Sequence, residues 1–213
     1  MAAPPTFSRK RLARLRLPLR GRRVELVLPT RELVPAYVRL LSEPSVARQA
    51  LHIPYPYRER DGGEFVRRAR RYRREGRALS LTIVRRADRE VLGGVGLHRL
   101  ENGSSTGEVG YWLGLEHRGH GYATEAVGLL VRTGFRQLGL HRIEARVFPT
   151  NRASRRVAAH AGFRYEGRMR DEVRKDGRWR ATLLFSRLAS DPPPPRKDSA
   201  PPPRPNYAAR RRR

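Results

Sequence analysis

The run Arg118-Gly119-His120-Gly121-Tyr122-Ala123 combines two glycines, an arginine and a short reach in a way that suits an anion. Before it, Glu108-Val109-Gly110-Tyr111-Trp112-Leu113 reads as a strand. After it, Ala123, Ala126, Val127, Leu130, Phe135 and Leu138 form one apolar stripe, which predicts an amphipathic helix over 123–138. A strand, a glycine turn and a helix start aim backbone N–H groups and the positive end of the helix dipole at one point. Glycine lets a phosphate approach the main chain without a Cβ in the way. The arginine adds a charge-assisted donor. Residues of these types in this order predict a cradle for a pyrophosphate.

Elements on both sides must hold that cradle. Residues 24–28 read as a first strand and 31–41 as a helix with Thr30 at its start; a short helix follows over 45–51. Ile53-Pro54-Tyr55-Pro56-Tyr57 is an aromatic loop, because each proline restricts its predecessor. Its tyrosines suit either a cover for the core edge or the wall of an acceptor pocket. Residues 63–75 predict a helix with Phe65, Val66, Ala69 and Tyr72 inward and a crowd of arginines outward. Segments 78–85, 91–98 and 108–113 read as an antiparallel meander, with a turn at 102–105. A strand over 142–148 lies beyond the long helix, so it should run parallel to the 108–113 strand. Asn151 is placed to cap a short helix over 152–160, ended by Gly162. A hairpin with its turn at Lys175-Asp176-Gly177 closes the domain.

The chain has 213 residues, no cysteine and a net charge of +27. That length suits one core with tails, and the missing cysteine rules out disulfides and thiolate chemistry. No apolar run nears the roughly 20 residues of a membrane span. A cytoplasmic protein is the expectation. Residues 1–23 hold eight basic and no acidic side chains, and 192–213 hold seven basic and one acidic. The expected division is a disordered basic arm over 1–21, a catalytic domain over 22–189 and a disordered Pro/Arg-rich tail over 190–213. Only three of the 47 basic residues are lysine, a bias that a GC-rich coding sequence gives by itself. The charge nevertheless attracts polyanions at low salt.

Arg-x-x-Gly-x-Ala at 118–123, Asn-x-x-Ser at 151–154 and Ala-Gly-Phe at 161–163 followed by Glu166-Gly167 coincide in one chain. Together they resemble the GCN5-related N-acetyltransferases, and within them the RimJ/RimL-type ribosomal-protein alanine N-acetyltransferases. The resemblance covers about residues 24–188. It implies an α/β (α+β mixed) fold: a twisted mixed sheet of about seven strands, whose central pair splays apart, with about four helices. It also implies acetyl-CoA as co-substrate, with no metal. The pantetheine arm would pair with the backbone of Tyr111, Trp112 and Leu113. The pyrophosphate would sit on Arg118, Gly119, His120, Gly121, Tyr122 and Ala123, with Asn151 near the arm. A neutral amine would attack the thioester directly, through a tetrahedral oxyanion held by backbone donors.

For catalysis, the resemblance makes Ser154 the proton donor, against the alternative that it only caps its helix. Glu108, on the strand beside the thioester, is one candidate base. The glutamate used by RimL-type relatives falls by count on Val173, one residue from Glu172. A one-residue offset on a strand reverses a side chain unless a bulge intervenes, so Glu172 stands as the second candidate. His98 is the third. The reading is an N-acetyltransferase acting on a primary amine such as a ribosomal protein's N-terminus, as a monomer or homodimer, with RNA or ribosome contact through the basic tails. A small-molecule or antibiotic amine is the alternative acceptor. An inactive polyanion-binding module of the same fold is the alternative of another class.

Overall fold

The computed structural model describes residues 6–51, 53–101 and 105–194. The chain opens with a short helix α1 (Arg9–Arg14) and a two-residue strand β1 (Leu19–Arg20), followed by β2 (Val24–Val27). Helices α2 (Val34–Leu41), α3 (Pro44–Gln49) and α4 (Glu59–Arg74) come next. Strands β3 (Leu79–Arg85), β4 (Val91–Glu101) and β5 (Thr106–Leu113) lead to α5 (Tyr122–Thr133), which continues into one π turn over Gly134–Leu138. Then come β6 (Arg142–Val147), α6 (Arg152–His160), β7 (Arg164–Lys175) and β8 (Arg178–Leu188). The eight strands form a single mixed sheet in the order β1-β2-β3-β4-β5-β6-β8-β7. The meander β3-β4-β5 is antiparallel and the β5–β6 pair is parallel, as the intervening helix requires.

Alternation along the strands divides the apolar residues between the sheet's two faces. On β5, Tyr111 packs on a large cluster built with α1, α5 and α6, while its neighbour Trp112 packs on a second cluster of α2, α3 and α4. Adjacent strand residues point to opposite faces, so the two clusters cover opposite sides of the sheet. Among the described residues no helix is long and apolar enough to cross a membrane.

Two expectations are corrected. The arm over 1–21 is not loose from Phe7 onward: Phe7, Leu12, Leu15 and Leu19 are buried in the main cluster, and β1 pairs with β2. The basic residues mask a spacing of apolar ones that is too sparse to read as a period, yet α1 contributes one buried leucine, Leu12, and its flanks the rest. Residues 1–5 and 195–213 of the two predicted tails lie outside the described residues, as do 102–104 of the predicted turn. Helix α4 also begins four residues before its predicted start. The Asp61 carboxylate accepts the Arg58 N–H at 2.8 Å, which fixes the first turn. Gly62 faces α2 so closely that a Cβ there would stand 2.7 Å from Val34 Cγ1.

Candidate functional site

Pairing between β5 and β6 stops almost as soon as it starts. Thr106, Gly107 and Glu108 pair with Arg142, Ile143 and Glu144, and no pairing continues beyond Glu108 although β5 runs on to Leu113. The edge of β5 from Val109 onward therefore offers backbone donors and acceptors to whatever enters the gap. A cavity of about 790 Å³ opens there, between the sheet, α2, α4, α6 and the β7–β8 hairpin. Its wall includes Glu108, Tyr111, Trp112, Asn151, Ser154 and Glu172, which brings both predicted carboxylates and the predicted serine to one space. His98 lines it too. Of the aromatic loop, Tyr57 is buried in the second cluster and also lines the cavity, whereas Tyr55 is exposed.

Two strand irregularities re-aim the charged residues. In β4 the pairing with β5 shifts between His98 and Glu101, and Arg99 there adopts φ +49°. In β7 the pairing with β8 shifts between Met169 and Val173, and Asp171 adopts φ +47°. A left-handed non-glycine residue inside a strand marks a bulge, which redirects the side chains around it. Glu172 falls within the second irregularity, and both it and Val173 line the cavity.

Both carboxylates meet at Arg146, a residue that the sequence reading missed. Arg146 Nη1 donates to Glu108 Oε2 at 2.5 Å, and its Nε donates to Glu172 Oε1 at 2.8 Å. Glu144 Oε2 lies 3.0 Å from Nη1, and Arg99 stands 3.7 Å from Glu108. Thr182 Oγ1 donates to the other oxygen of Glu172. Glu172 thus has both oxygens engaged, whereas among the described residues Glu108 is hydrogen-bonded through Oε2 alone. By residue type Arg146 is one of many arginines in the chain. Its alternation with the buried Ala145 and Val147, on a strand predicted to splay, was the available signal.

Helix α6 supplies the serine. Asn151 Oδ1 accepts the Ser154 N–H at 3.0 Å, so asparagine performs the capping and the serine hydroxyl does not have to. Tyr111 Oη donates to the Ser154 carbonyl at 3.1 Å. Burial pushes the tyrosine pKa up to about 12, against the smaller opposing effect of that bond. Tyr111 is therefore a strut between β5 and α6.

At the cradle, Gly119 and Gly121 have φ +84° and +80°, and Gly121 is the N-cap of α5. A Cβ on Gly119 would meet nothing within 4 Å, which leaves the turn open from outside. Arg118 Nε donates to the Leu113 carbonyl at 3.3 Å and ties the turn to the end of β5. His120 is exposed and stacks on Tyr122, and Ala123, in the first turn of α5, is buried. Arg23, also missed, lies over the Tyr122 ring at 4.9 Å and donates to the His120 carbonyl at 2.9 Å. The turn is not part of the cavity wall. Among the described residues no group of three or more His, Asp or Glu side chains is placed to hold a metal ion.

Residues 23–164 match a family model described as an acetyltransferase (GNAT) domain. Among curated proteins, the uncharacterized N-acetyltransferase p20 of Bacillus licheniformis is 38% identical over 114 residues, 54% of this chain and 64% of that protein. The [ribosomal protein uS5]-alanine N-acetyltransferase of Escherichia coli is 29% identical over 114 residues, 53% of this chain and 59% of that protein. The chain spans less than two thirds of the length of either. Among solved structures, Mycobacterium smegmatis RimJ in complex with CoA-disulfide superposes with a TM-score of 0.70 at 28% identity, over 78% of this chain and 82% of that one.

Proposed function

The chain belongs to the acetyltransferase (GNAT) family, and on that basis we propose that it moves an acetyl group from acetyl-CoA to a primary amine. The observation that carries this reading is the gap after the Glu108–Glu144 pair, which exposes the β5 edge to a cavity lined by Ser154 and Glu108. Acetyl-CoA would supply the acyl group already activated as a thioester. The chain's residues fit it. The free backbone of residues 109–113 can extend the sheet ladder along a pantetheine arm. The N–H groups around Gly119 and Gly121 can hold a pyrophosphate. Glu108 Oε1 takes the proton of the amine, directly or through water, while Arg146 holds the carboxylate in place. Ser154 Oγ gives a proton to the departing sulfur.

The acceptor is an amine, and a protein N-terminal α-amine, such as that of a ribosomal protein, is the reading that the similarity to the uS5-alanine enzyme supports. Basic segments at the chain ends, together with the exposed arginines of α4, would hold the enzyme near RNA.

Thermal melting with acetyl-CoA tests the cofactor, with Gly121→Glu as control. At 100 times its dissociation constant a ligand stabilises by roughly 2.7 kcal/mol. A rise in Tm that the glutamate abolishes is expected; no rise at saturation overturns the reading. Thiol release with a panel of amines and N-terminal peptides then separates a transferase from an inactive module of the same fold.

A further inference from the structure

The cavity has two chemically different ends. On its sheet floor, β4 and β5 pair Gly94 with Trp112, Gly96 with Gly110, and His98 with Glu108. Directly opposed residues share a face, so Gly94, Gly96 and Gly110 put no side chain of their own between an indole at one end and a carboxylate at the other. The rings lie down on that floor. A Cβ on Gly94 would stand 2.5 Å from Trp112 Nε1, and one on Gly96 would stand 2.8 Å from His98 Nε2. Side chains at these glycines would lift both rings and fill the space. From Glu108 to Trp112 is four strand residues, about 13 Å at roughly 3.3 Å each.

Facing the indole end are Tyr37 of α2 and Phe65 of α4. Tyr37 meets Trp112 edge to face at 6.4 Å and Phe65 at 5.7 Å. The Tyr37 hydroxyl is turned away into a 2.5 Å hydrogen bond with Thr82 Oγ1, so its ring is what this end presents. The acidic groups on the α4 wall are already engaged: Asp61 accepts the Arg58 N–H, and Glu64 pairs with Arg68 at 3.5 Å. Arg60 also stands 3.8 Å from Asp61, so among the described residues each carboxylate on this wall already has a cation beside it. A flat apolar group would find three aromatic rings.

Resting on the transferase reading, we propose that the acceptor amine is carried on an aromatic or large apolar body, which lies against the rings of Trp112, Tyr37 and Phe65 while the amine meets Glu108 and Ser154. Among peptides this selects a large apolar first residue; among small amines it selects an arylalkylamine over a diamine.

Trp112 and Trp179 are the two tryptophans of the chain. In a Trp179→Phe variant Trp112 reports alone from inside the cavity, without any need for turnover. Its emission, in the presence of CoA, is titrated with 2-phenylethylamine, ethylamine and putrescine. Burial of the ring predicts that 2-phenylethylamine binds on the order of 10-fold or more tighter than either. Phe65→Leu should cut that preference, with the acetyl-CoA melting shift retained as proof of folding. Thiol release from acetyl-CoA is then compared for two peptides that differ only in an initial Phe or Ala, and kcat/KM should favour Phe by a similar factor. Equal affinities, or a preference for ethylamine, putrescine or the Ala peptide, overturn the inference and leave the transferase reading intact. Loss of the acetyl-CoA shift in the wild type overturns that reading instead.

Discussion

Asn151, Ser154, Glu108 and Glu172 divide their duties through hydrogen bonds that only their atoms, and not their identities, reveal. Because Asn151 holds the α6 cap, Ser154→Ala should leave the melting temperature nearly unchanged. It should lower kcat on the order of 100-fold with little change in KM for acetyl-CoA, read by thiol release. Asn151→Ala should do the reverse at the level of folding and cost about 1 kcal/mol of stability in a urea melt. The two glutamates should also separate. Glu172→Gln disturbs bonds to both Arg146 and Thr182 and should lower stability, whereas Glu108→Gln touches a carboxylate held through one oxygen and should mainly lower kcat. If both variants melt alike and turn over alike, the assignment of Glu108 as base is wrong.

Between elements, carboxylates act as ties. Glu125 on α5 accepts the Arg23 N–H at 2.6 Å, the Val24 N–H at 3.3 Å and Arg23 Nε at 3.0 Å, and so fixes the entry of β2 against the helix that follows the cradle. Burial opposes its charge, but the Arg23 bonds outweigh that and hold its pKa below the usual 4.5. Glu166, where the β7–β8 pairing shifts between Tyr165 and Gly167, is held down to about 2, chiefly by the Arg142 guanidinium. A carboxylate with a folded pKa below its unfolded one stabilises the fold fully above the unfolded value and loses that contribution as pH falls through the folded one. Melting temperature should therefore be flat from pH 7 to about 5 on this account and decline from about 4.5 towards 2. Glu125→Gln and Glu166→Gln should each flatten that decline. An unchanged acid limb in the double variant would remove these ties from the account.

Over the whole molecule, the N-terminal segment is part of the core. Phe7, Leu12 and Leu15 are each 5% exposed or less, and Arg73 of α4 donates to the Leu15 carbonyl at 2.7 Å. Full burial of such a side chain contributes about 1.5–3 kcal/mol, so deletion of residues 1–18 should lower stability by roughly 5 kcal/mol or abolish folding. A truncated protein with the full-length Tm would show that the segment is dispensable.

The sequence by itself determined what short-range chemistry writes down. Glycines at 119 and 121 before a helical stripe, Asn151 ahead of a short helix, and the alternating Leu79, Leu81 and Ile83 of β3 each specify local backbone without help from distant residues. Parallel pairing of β5 and β6 followed from the helix between them. What contacts between distant residues decide was not legible. Whether Phe7 to Leu19 packs or drifts depends on an apolar surface supplied by other segments, and the arginines around it conceal the four side chains that use that surface. Arg146 is one arginine among many until Glu108, Glu144 and Glu172 converge on it from three strands. Glu172 lines the cavity from within an irregular stretch of β7 beside Asp171, and such a stretch arises from how two strands register, which neither strand encodes alone.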